Sequence, residues 1–271
     1  MADGPDWVPL EVDTGRANVA RVYDYWLGGN HNFLPDQDLG RAIAAVEPNT
    51  RAMARANREF LGRAVRFLAG AGIRQFLDIG SGIPTQGNVH EVAQHAAPGA
   101  HVVYADIDPV AVAHSKAILA GNDSTVVIEA DLRDPEKILT DQSVRQLIDF
   151  GQPAGLLLVS VLHFIADADD PWRIVATLRD ALAPGSYLVL CHGTDEGKPT
   201  VAQAAAKVYN RSVTTDLHIR SRAQILRFFE GFDLADPGLV PIPQWRPDKA
   251  AGMPADPGKF WGGLVGVGQK P

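Results

Sequence analysis

The run Gln75-Phe76-Leu77-Asp78-Ile79-Gly80-Ser81-Gly82-Ile83-Pro84-Thr85 constrains this chain more than any other stretch. Mostly apolar residues give way at once to two glycines and a proline, which reads as a buried parallel strand ending in a sharp turn. Glycine has no Cβ, so a nucleotide-like ligand can approach Gly80, Ser81 and Gly82 closely. The following segments repeat the theme. His101–Asp106 is a second apolar run ending on an acid, and Pro109 opens a helix that ends near Gly121-Asn122. Thr125–Glu129 is a third strand, closed by Ala130-Asp131, and residues 156–161 and 186–191 are a fourth and a fifth, with a helix over 171–182 between them. Strands alternating with helices imply a mostly parallel sheet with right-handed crossovers and helices on both faces. At 271 residues and 46% hydrophobic, the chain is long enough to bury such an α/β core.

Two ligand chemistries compete for the glycine turn. A dinucleotide fingerprint runs Gly-x-Gly-x-x-Gly/Ala and sets a pyrophosphate on the next helix N-terminus. Gly80 and Gly82 fit it, but Thr85 stands at the third position behind Pro84, and the Asp78 carboxylate would face an anion. S-adenosylmethionine carries a cationic sulfonium and ammonium and no phosphate, which suits Asp78 better. Asp106 lies 24 residues beyond Gly82, close to the ~20-residue separation at which an acid ending the second strand meets a ribose diol. Its alternative role is to cap the helix at Pro109, for which Asp108 is better placed. Asp131 either reaches ligand or hydrogen-bonds its own turn. Three acids thus arrive at consecutive strand ends, the edge where open α/β sheets bind ligands.

Ahead of the first strand, Val19, Val22, Tyr23 and Trp26 recur at helical spacing and Gly28-Gly29 stops the helix. A loop Asn30-His31-Asn32-Phe33, a helix over 36–46 and a longer one over 48–69 follow. Asn57 falls beside the apolar stripe of that long helix, and a buried amide must find a partner in a loop or a ligand. Residues 1–70 therefore read as an irregular arm and a helical cap over the mouth of a domain spanning 71–271. In the last third, a helix over 200–210, a capping box at Ser221-Arg222-Ala223-Gln224, a surface loop over 237–257 and a strand over 260–267 are expected.

The formal charge of -7 and the lack of a basic run argue against a nucleic-acid partner, leaving a small-molecule or peptide acceptor as the default. Cys191 is the sole cysteine, which excludes an internal disulfide and a cysteine zinc cluster, and no metal is expected. No stretch reaches ~18 uninterrupted apolar residues, so membrane spanning is not expected and a cytoplasmic location is.

The segments Arg21-Val22-Tyr23-Asp24-Tyr25-Trp26-Leu27-Gly28-Gly29 and Val103-Tyr104-Ala105-Asp106-Ile107-Asp108-Pro109 carry a more specific likeness, as do residues 56–61, 75–85, 88–93, 130–135 and 183–188. They resemble a family of actinobacterial S-adenosylmethionine-dependent methyltransferases long catalogued only as a domain of unknown function. The first motif of class I methyltransferases reads acid-x-Gly-x-Gly-x-Gly, and Pro84 in place of the last glycine looks like that family's own variant. The resemblance implies a Rossmann-like class I sheet, mostly parallel, and S-adenosylmethionine as cofactor, without naming an acceptor. It further implies that Asp131 takes the exocyclic adenine amine while the Leu132 backbone reads the ring, with Ile107 next to the ribose acid. Ser160 to Asp167 resembles the segment lining the methyl-transfer site. His163 there would either accept a proton from the methyl acceptor, its ordinary pKa being about 6.5, or pack against the methionine portion. His192, at the end of the fifth strand, has the same two options. Tyr23, Asn30 and Asn57 are expected as cap residues near the cofactor, and Trp26 as packing. Three functions follow for test: methyl transfer by in-line displacement, a non-catalytic S-adenosylmethionine-binding regulatory module, and a nicotinamide-dependent oxidoreductase.

Overall fold

The computed structural model describes residues 13–84, 87–211, 213, 215–248 and 262–271. The expectations for the first twelve residues, for Thr85, for the later part of the 237–257 loop and for residues 260 and 261 lie outside them.

Helices α1 (Val19–Leu27), α2 (Leu34–Val46) and α3 (Thr50–Gly70) precede β1 (Gln75–Ile79). Then come α4 (Val89–Ala96), β2 (His101–Asp106), α5 (Pro109–Ile118), β3 (Thr125–Glu129), α6 (Pro135–Thr140), α7 (Gln142–Leu147) and β4 (Gly155–Val159). The chain closes with α8 (Pro171–Ala181), β5 (Tyr187–Gly193), α9 (Pro199–Asn210), α10 (Arg222–Leu226), β6 (Asp233–Leu234), β7 (Val240–Pro241) and β8 (Gly263–Gln269). The sheet order is β3-β2-β1-β4-β5-β8-β6, with β7 also paired to β8. The first five strands run parallel and β8 returns antiparallel beside β5, from Tyr187 opposite Gln269 to Gly193 opposite Gly263. Strand order reverses between β1 and β4, so the crevice of this doubly wound sheet opens over their carboxyl ends.

Both faces of the sheet are covered, and the strand period of two divides its residues between them. Leu77, Val103, Leu156, Leu158 and Leu190 pack toward Ile138, Val144, Ile174, Leu178 and Phe228. Phe76, Val102, Leu157 and Val189 face the other way, onto Phe60, Leu61, Ala64 and Leu68 of α3 and onto Trp245. Each such fully buried side chain contributes about 1.5–3 kcal/mol. The expected boundary at residue 70 meets this packing directly, because the second half of α3 is part of the sheet's own core. What lies over the sheet's mouth is α1, α2, the start of α3 and, unforeseen, α9: Val22, Leu39 and Ile43 pack with Tyr209 and Val213.

Local chemistry accounts for the cap's form. Asn18 caps α1 through its side-chain oxygen and Gly28, at φ 85°, ends it. The buried Asp36 carboxylate accepts the backbone N–H of Phe33 at 2.7 Å and of Asn18 at 2.8 Å and pairs with Arg21 at 3.1 Å. A buried ion pair of this kind fixes geometry more than it adds stability. Here it sets the start of α1 against the start of α2. Elsewhere α5 stops at Ile118, short of the expected Gly121-Asn122, and β4 stops at Val159, where Ser160 turns into the left-handed region at φ 64°. Among the described residues no helix is long and apolar enough to cross a membrane.

Candidate functional site

One cleft of about 370 Å³ opens at the carboxyl ends of the parallel strands, beneath the cap. The glycine turn forms its floor. Gly80 has φ 74° and Gly82 φ 66°, a region that L side chains rarely adopt. A Cβ on Gly80 would stand 2.3 Å from Cγ2 of Val161, so the turn is pinned beneath that side chain, whereas a Cβ on Gly82 would meet nothing within 4 Å. One glycine serves packing; the other faces open space.

Asp106 holds the floor to its neighbour. Its Oδ2 accepts from Gly82 N–H at 2.7 Å and its Oδ1 from Asp108 N–H at 2.9 Å. Asp108, as expected, caps α5, accepting from Val110 N–H at 2.8 Å. Burial pushes the Asp106 carboxyl up to about 6, against the lowering effect of hydrogen bonds from the backbone of Asp108, Gly82 and Ile107. Asp78 is 5% exposed. Burial pushes it up to about 7; Arg58 opposes that shift and Asp106 reinforces it. Among the described residues its carboxyl has no hydrogen-bond partner, and a cation entering the cleft would favour its ionised form and draw it back toward its ordinary pKa.

Asp131 also lines the cleft, and the three strand-end acids do converge there. Its carboxylate is bound by its own turn, however: the Arg133 guanidinium reaches it at 2.6 Å and the Arg133 N–H at 2.9 Å. Burial alone would raise its pKa, and these contacts with Arg133 lower it. Leu132 is buried beside it, and Ile107, 57% exposed, offers an apolar surface along the same wall.

A second cluster ties the cap to the sheet. Asn57 Nδ2 donates to the Tyr23 hydroxyl at 2.9 Å and to Ser160 Oγ at 3.0 Å, and the Tyr23 hydroxyl donates to the Ala54 carbonyl at 3.1 Å. Burial raises the Tyr23 pKa to about 12, so the hydroxyl keeps its proton. Asn57 Oδ1 is buried without a hydrogen-bond partner among the described residues. Such an acceptor costs free energy unless a ligand or water completes it. Ser160, held at positive φ, is the kind of strained residue that persists where surroundings over-determine it.

Three expectations need correction. Asn30 is exposed and outside the cleft, because the Asp24 carboxylate accepts from His31 N–H at 2.9 Å and from Asn32 Nδ2 at 2.8 Å and turns that loop about itself. His192 does not line the cleft; it is fully buried, bonded to the Gly193 carbonyl at 2.7 Å and to Arg220 at 2.8 Å. His163 does line it, but its Nδ1 accepts from Gly193 N–H at 3.3 Å, so Nε2 carries the hydrogen of the neutral ring. A further proton would have to displace that backbone donor. Burial, then His192 and Arg220, hold the ring well below its ordinary pKa. His163 is thus a neutral ring with Nδ1 engaged, an arrangement that favours donation from Nε2 over proton acceptance. Arg220 anchors the whole segment, donating to the carbonyls of Leu162 at 2.9 Å and Ile165 at 2.7 Å and to Asp167 at 2.6 Å.

Sequence reasoning missed Arg58, Glu47 and the α9 residues Ala202 and Ala205, all of which line the cleft. Arg58 follows Asn57 directly, and its Nη2 reaches Asn88 Oδ1 at 3.3 Å. The α3 positions Thr50, Ala54, Asn57 and Leu61 line the cleft at helical spacing, a stripe that could have been read had the polar members been weighed with the apolar ones.

With this geometry in place, comparison with known proteins is informative. The S-adenosyl methyltransferase family model matches residues 5–271. The chain belongs to the S-adenosyl methyltransferase family. A putative methyltransferase from Thermobifida fusca YX is similar at 43% identity and TM-score 0.91, over 98% of this chain and 99% of that one. A DUF574 family protein from Streptomyces avermitilis MA-4680 is similar at 38% identity and TM-score 0.91, over 96% and 99%. The N-methyltransferase NodS from Bradyrhizobium japonicum WM9, solved with S-adenosyl-L-homocysteine, shares the fold at 14% identity and TM-score 0.50, over 87% of this chain and 97% of that one. No curated protein matches the chain. The class I methyltransferase fold, with helices on both faces of the sheet and a helical N-terminal segment, is therefore that of an S-adenosyl methyltransferase.

Proposed function

We propose that the chain transfers a methyl group from S-adenosylmethionine to a small-molecule acceptor held under the cap. The observation that carries this reading is the Asp78 carboxyl, 5% exposed and without a hydrogen-bond partner among the described residues, which lines the same cleft as the open Gly82 turn and as Asn57, whose Oδ1 is likewise unpartnered among them. A ligand with cationic groups and no phosphate satisfies both; a dinucleotide pyrophosphate would meet Asp78 with like charge.

Within this reading Asp106 receives the ribose hydroxyls while keeping Gly82 and Asp108 in place. Ile107 and Leu132 form the adenine wall and Asp131 accepts the exocyclic amine, sharing its charge with Arg133. Asp78, Ser81, Asn57, Tyr23 and Ser160 surround the amino-acid end, where Asn57 Oδ1 accepts from the ammonium and Arg58 offers charge to the carboxylate. The bound cofactor supplies a methyl group on a positive sulfur that departs as a neutral thioether. The chain's residues therefore need supply no acid for that departure. Their work is to orient the two ligands and exclude water. His163, a neutral donor, is suited to orienting the acceptor by a hydrogen bond from Nε2.

The cleft continues past this set into the space between α2, α3 and α9, which supports a second substrate over a purely regulatory cofactor module. Titration calorimetry with S-adenosylhomocysteine and with NAD tests the reading. Binding of the former and none of the latter is expected; NAD binding alone would overturn it.

A further inference from the structure

The far half of the cleft has its own chemistry. Its walls are Trp26 and Ile43 of the cap, Met53 of α3, Phe164 after β4, Ala205 of α9 and Leu217. Among the described residues one carboxylate stands in this apolar surround, that of Glu47, one turn beyond Ile43 and 4% exposed. Its Oε1 is committed to the start of α3, accepting from the Asn49 N–H and Asn49 Nδ2, both at 2.9 Å. Its Oε2 has neither a hydrogen bond nor an ion pair among the described residues. Its backbone is fixed as well, since the Thr50 hydroxyl donates to the Glu47 carbonyl at 2.6 Å.

The long axis of α3 gives the spacing. Thr50 and Asn57 both line the cleft, seven residues apart, or about 10 Å along the helix at ~1.5 Å per residue. Asn57 is hydrogen-bonded to Ser160 at the cofactor end. Glu47 thus marks the far end of a space about 10 Å long, too distant for its carboxylate to take a proton from the reacting atom. A carboxylate with one oxygen committed and the other open at the end of an apolar slot recognises a positive charge.

Resting on the methyltransferase reading above, we propose that the acceptor is an amphipathic amine. Its apolar or aromatic body lies between α1, α2, α3 and α9, its ammonium is held by Glu47 Oε2, and its methyl-accepting atom lies at the opposite end beside Ser160, where its bond to the methyl carbon forms as the carbon–sulfur bond breaks and the proton it gives up passes to solvent. The ammonium keeps its proton and takes no part in the transfer. The role of Glu47 is recognition.

The test uses the full chain saturated with S-adenosylhomocysteine and three probes of one shape and different charge: tryptamine, its alcohol tryptophol and the anion indoleacetate. Calorimetry should show tryptamine binding at least tenfold more tightly than tryptophol, with indoleacetate weakest. In Glu47→Gln, whose amide oxygen can still serve Asn49, that preference should disappear while the affinities for tryptophol and S-adenosylhomocysteine stay as they were. Equal binding of amine and alcohol, a preference for the anion, or an amine preference that survives in Glu47→Gln overturns the proposal. The wild-type series decides the matter alone if the variant does not fold. Absence of S-adenosylhomocysteine binding would refute the methyltransferase reading; its binding without an amine preference would refute only this one.

Discussion

The two glycines of the turn should fail in different ways when each is replaced by alanine. In Gly80→Ala the new methyl must occupy the left-handed region, at about 1–2 kcal/mol, and must also displace Val161, whose Cγ2 lies 2.3 Å from the ideal Cβ position. Val161 has little freedom to yield. Its carbonyl accepts from Phe164 N–H at 2.9 Å, and the next carbonyl, of Leu162, is held by Arg220 at 2.9 Å. Overpacking of that kind costs about 1–3 kcal/mol, so the total is about 2–5 kcal/mol, a large share of an ordinary domain's stability. Gly82→Ala carries only the backbone cost, about 1–2 kcal/mol, because nothing lies within 4 Å of its Cβ position. At about 2 °C per kcal/mol for a chain of this size, melting should fall by about 4–10 °C in the first variant and about 2–4 °C in the second. Affinity should separate them the other way for Gly82→Ala, whose methyl enters the open cleft and should weaken S-adenosylhomocysteine at least tenfold in calorimetry. Equal melting temperatures would refute the Val161 argument. Unchanged affinity in Gly82→Ala would refute the placement of the cofactor over the turn.

Two further predictions rest on the buried polar groups. Asp78 titrates at about 7 in the folded chain, above its ordinary 3.8, so the folded state holds a proton that the unfolded chain has released, and stability falls as pH rises through 7, by roughly 1.4 kcal/mol between pH 6 and 8. His163 and His192, whose unfolded rings charge near 6.5, oppose that decline over the same window, and Asp106, raised to about 6, adds to it; the quantity to measure by urea unfolding is therefore the difference between the two proteins, the wild type losing roughly 1.4 kcal/mol more than Asp78→Asn between pH 6 and 8, and parallel slopes would show the argument wrong. Asn57→Ala and Tyr23→Phe act on one hydrogen-bonded unit, so a double-mutant cycle in thermal unfolding should show a coupling of about 0.5–3 kcal/mol, and simple additivity would mean that the unit does not act as one.

The half of the cleft built on the glycine turn was legible in the sequence because its parts are local. An apolar run, a glycine pair and an acid at a set spacing lie within some thirty residues, and a strand's end fixes where each one points. Even there the reading stopped at function: that Asp106 ties Gly82 to Asp108, or that Arg133 folds back on Asp131, depends on turns whose geometry the residue types permit without requiring. The need for a partner at Asn57 could also be read, since a buried amide cannot go without one. Its partners could not, because Tyr23 and Ser160 are 34 and 103 residues away. His163 illustrates the same limit. Its residue type fits a base, and it is a backbone N–H 30 residues further on that assigns its tautomer. The far half of the cleft is assembled from α1, α2, α3 and α9, and its docking element, α9, follows the fifth strand rather than preceding the first. No periodicity within any one helix shows that Ala202 and Ala205 will face Ile43 and Met53 across a space. The glycine turn and its acids are set by local motifs, whereas the rest of the cleft is made of side chains brought together only by the fold. Glu47 shows the consequence: nothing in its local sequence marks it, and only the fold brings it to the same cleft as Ile43, Met53 and Ala205.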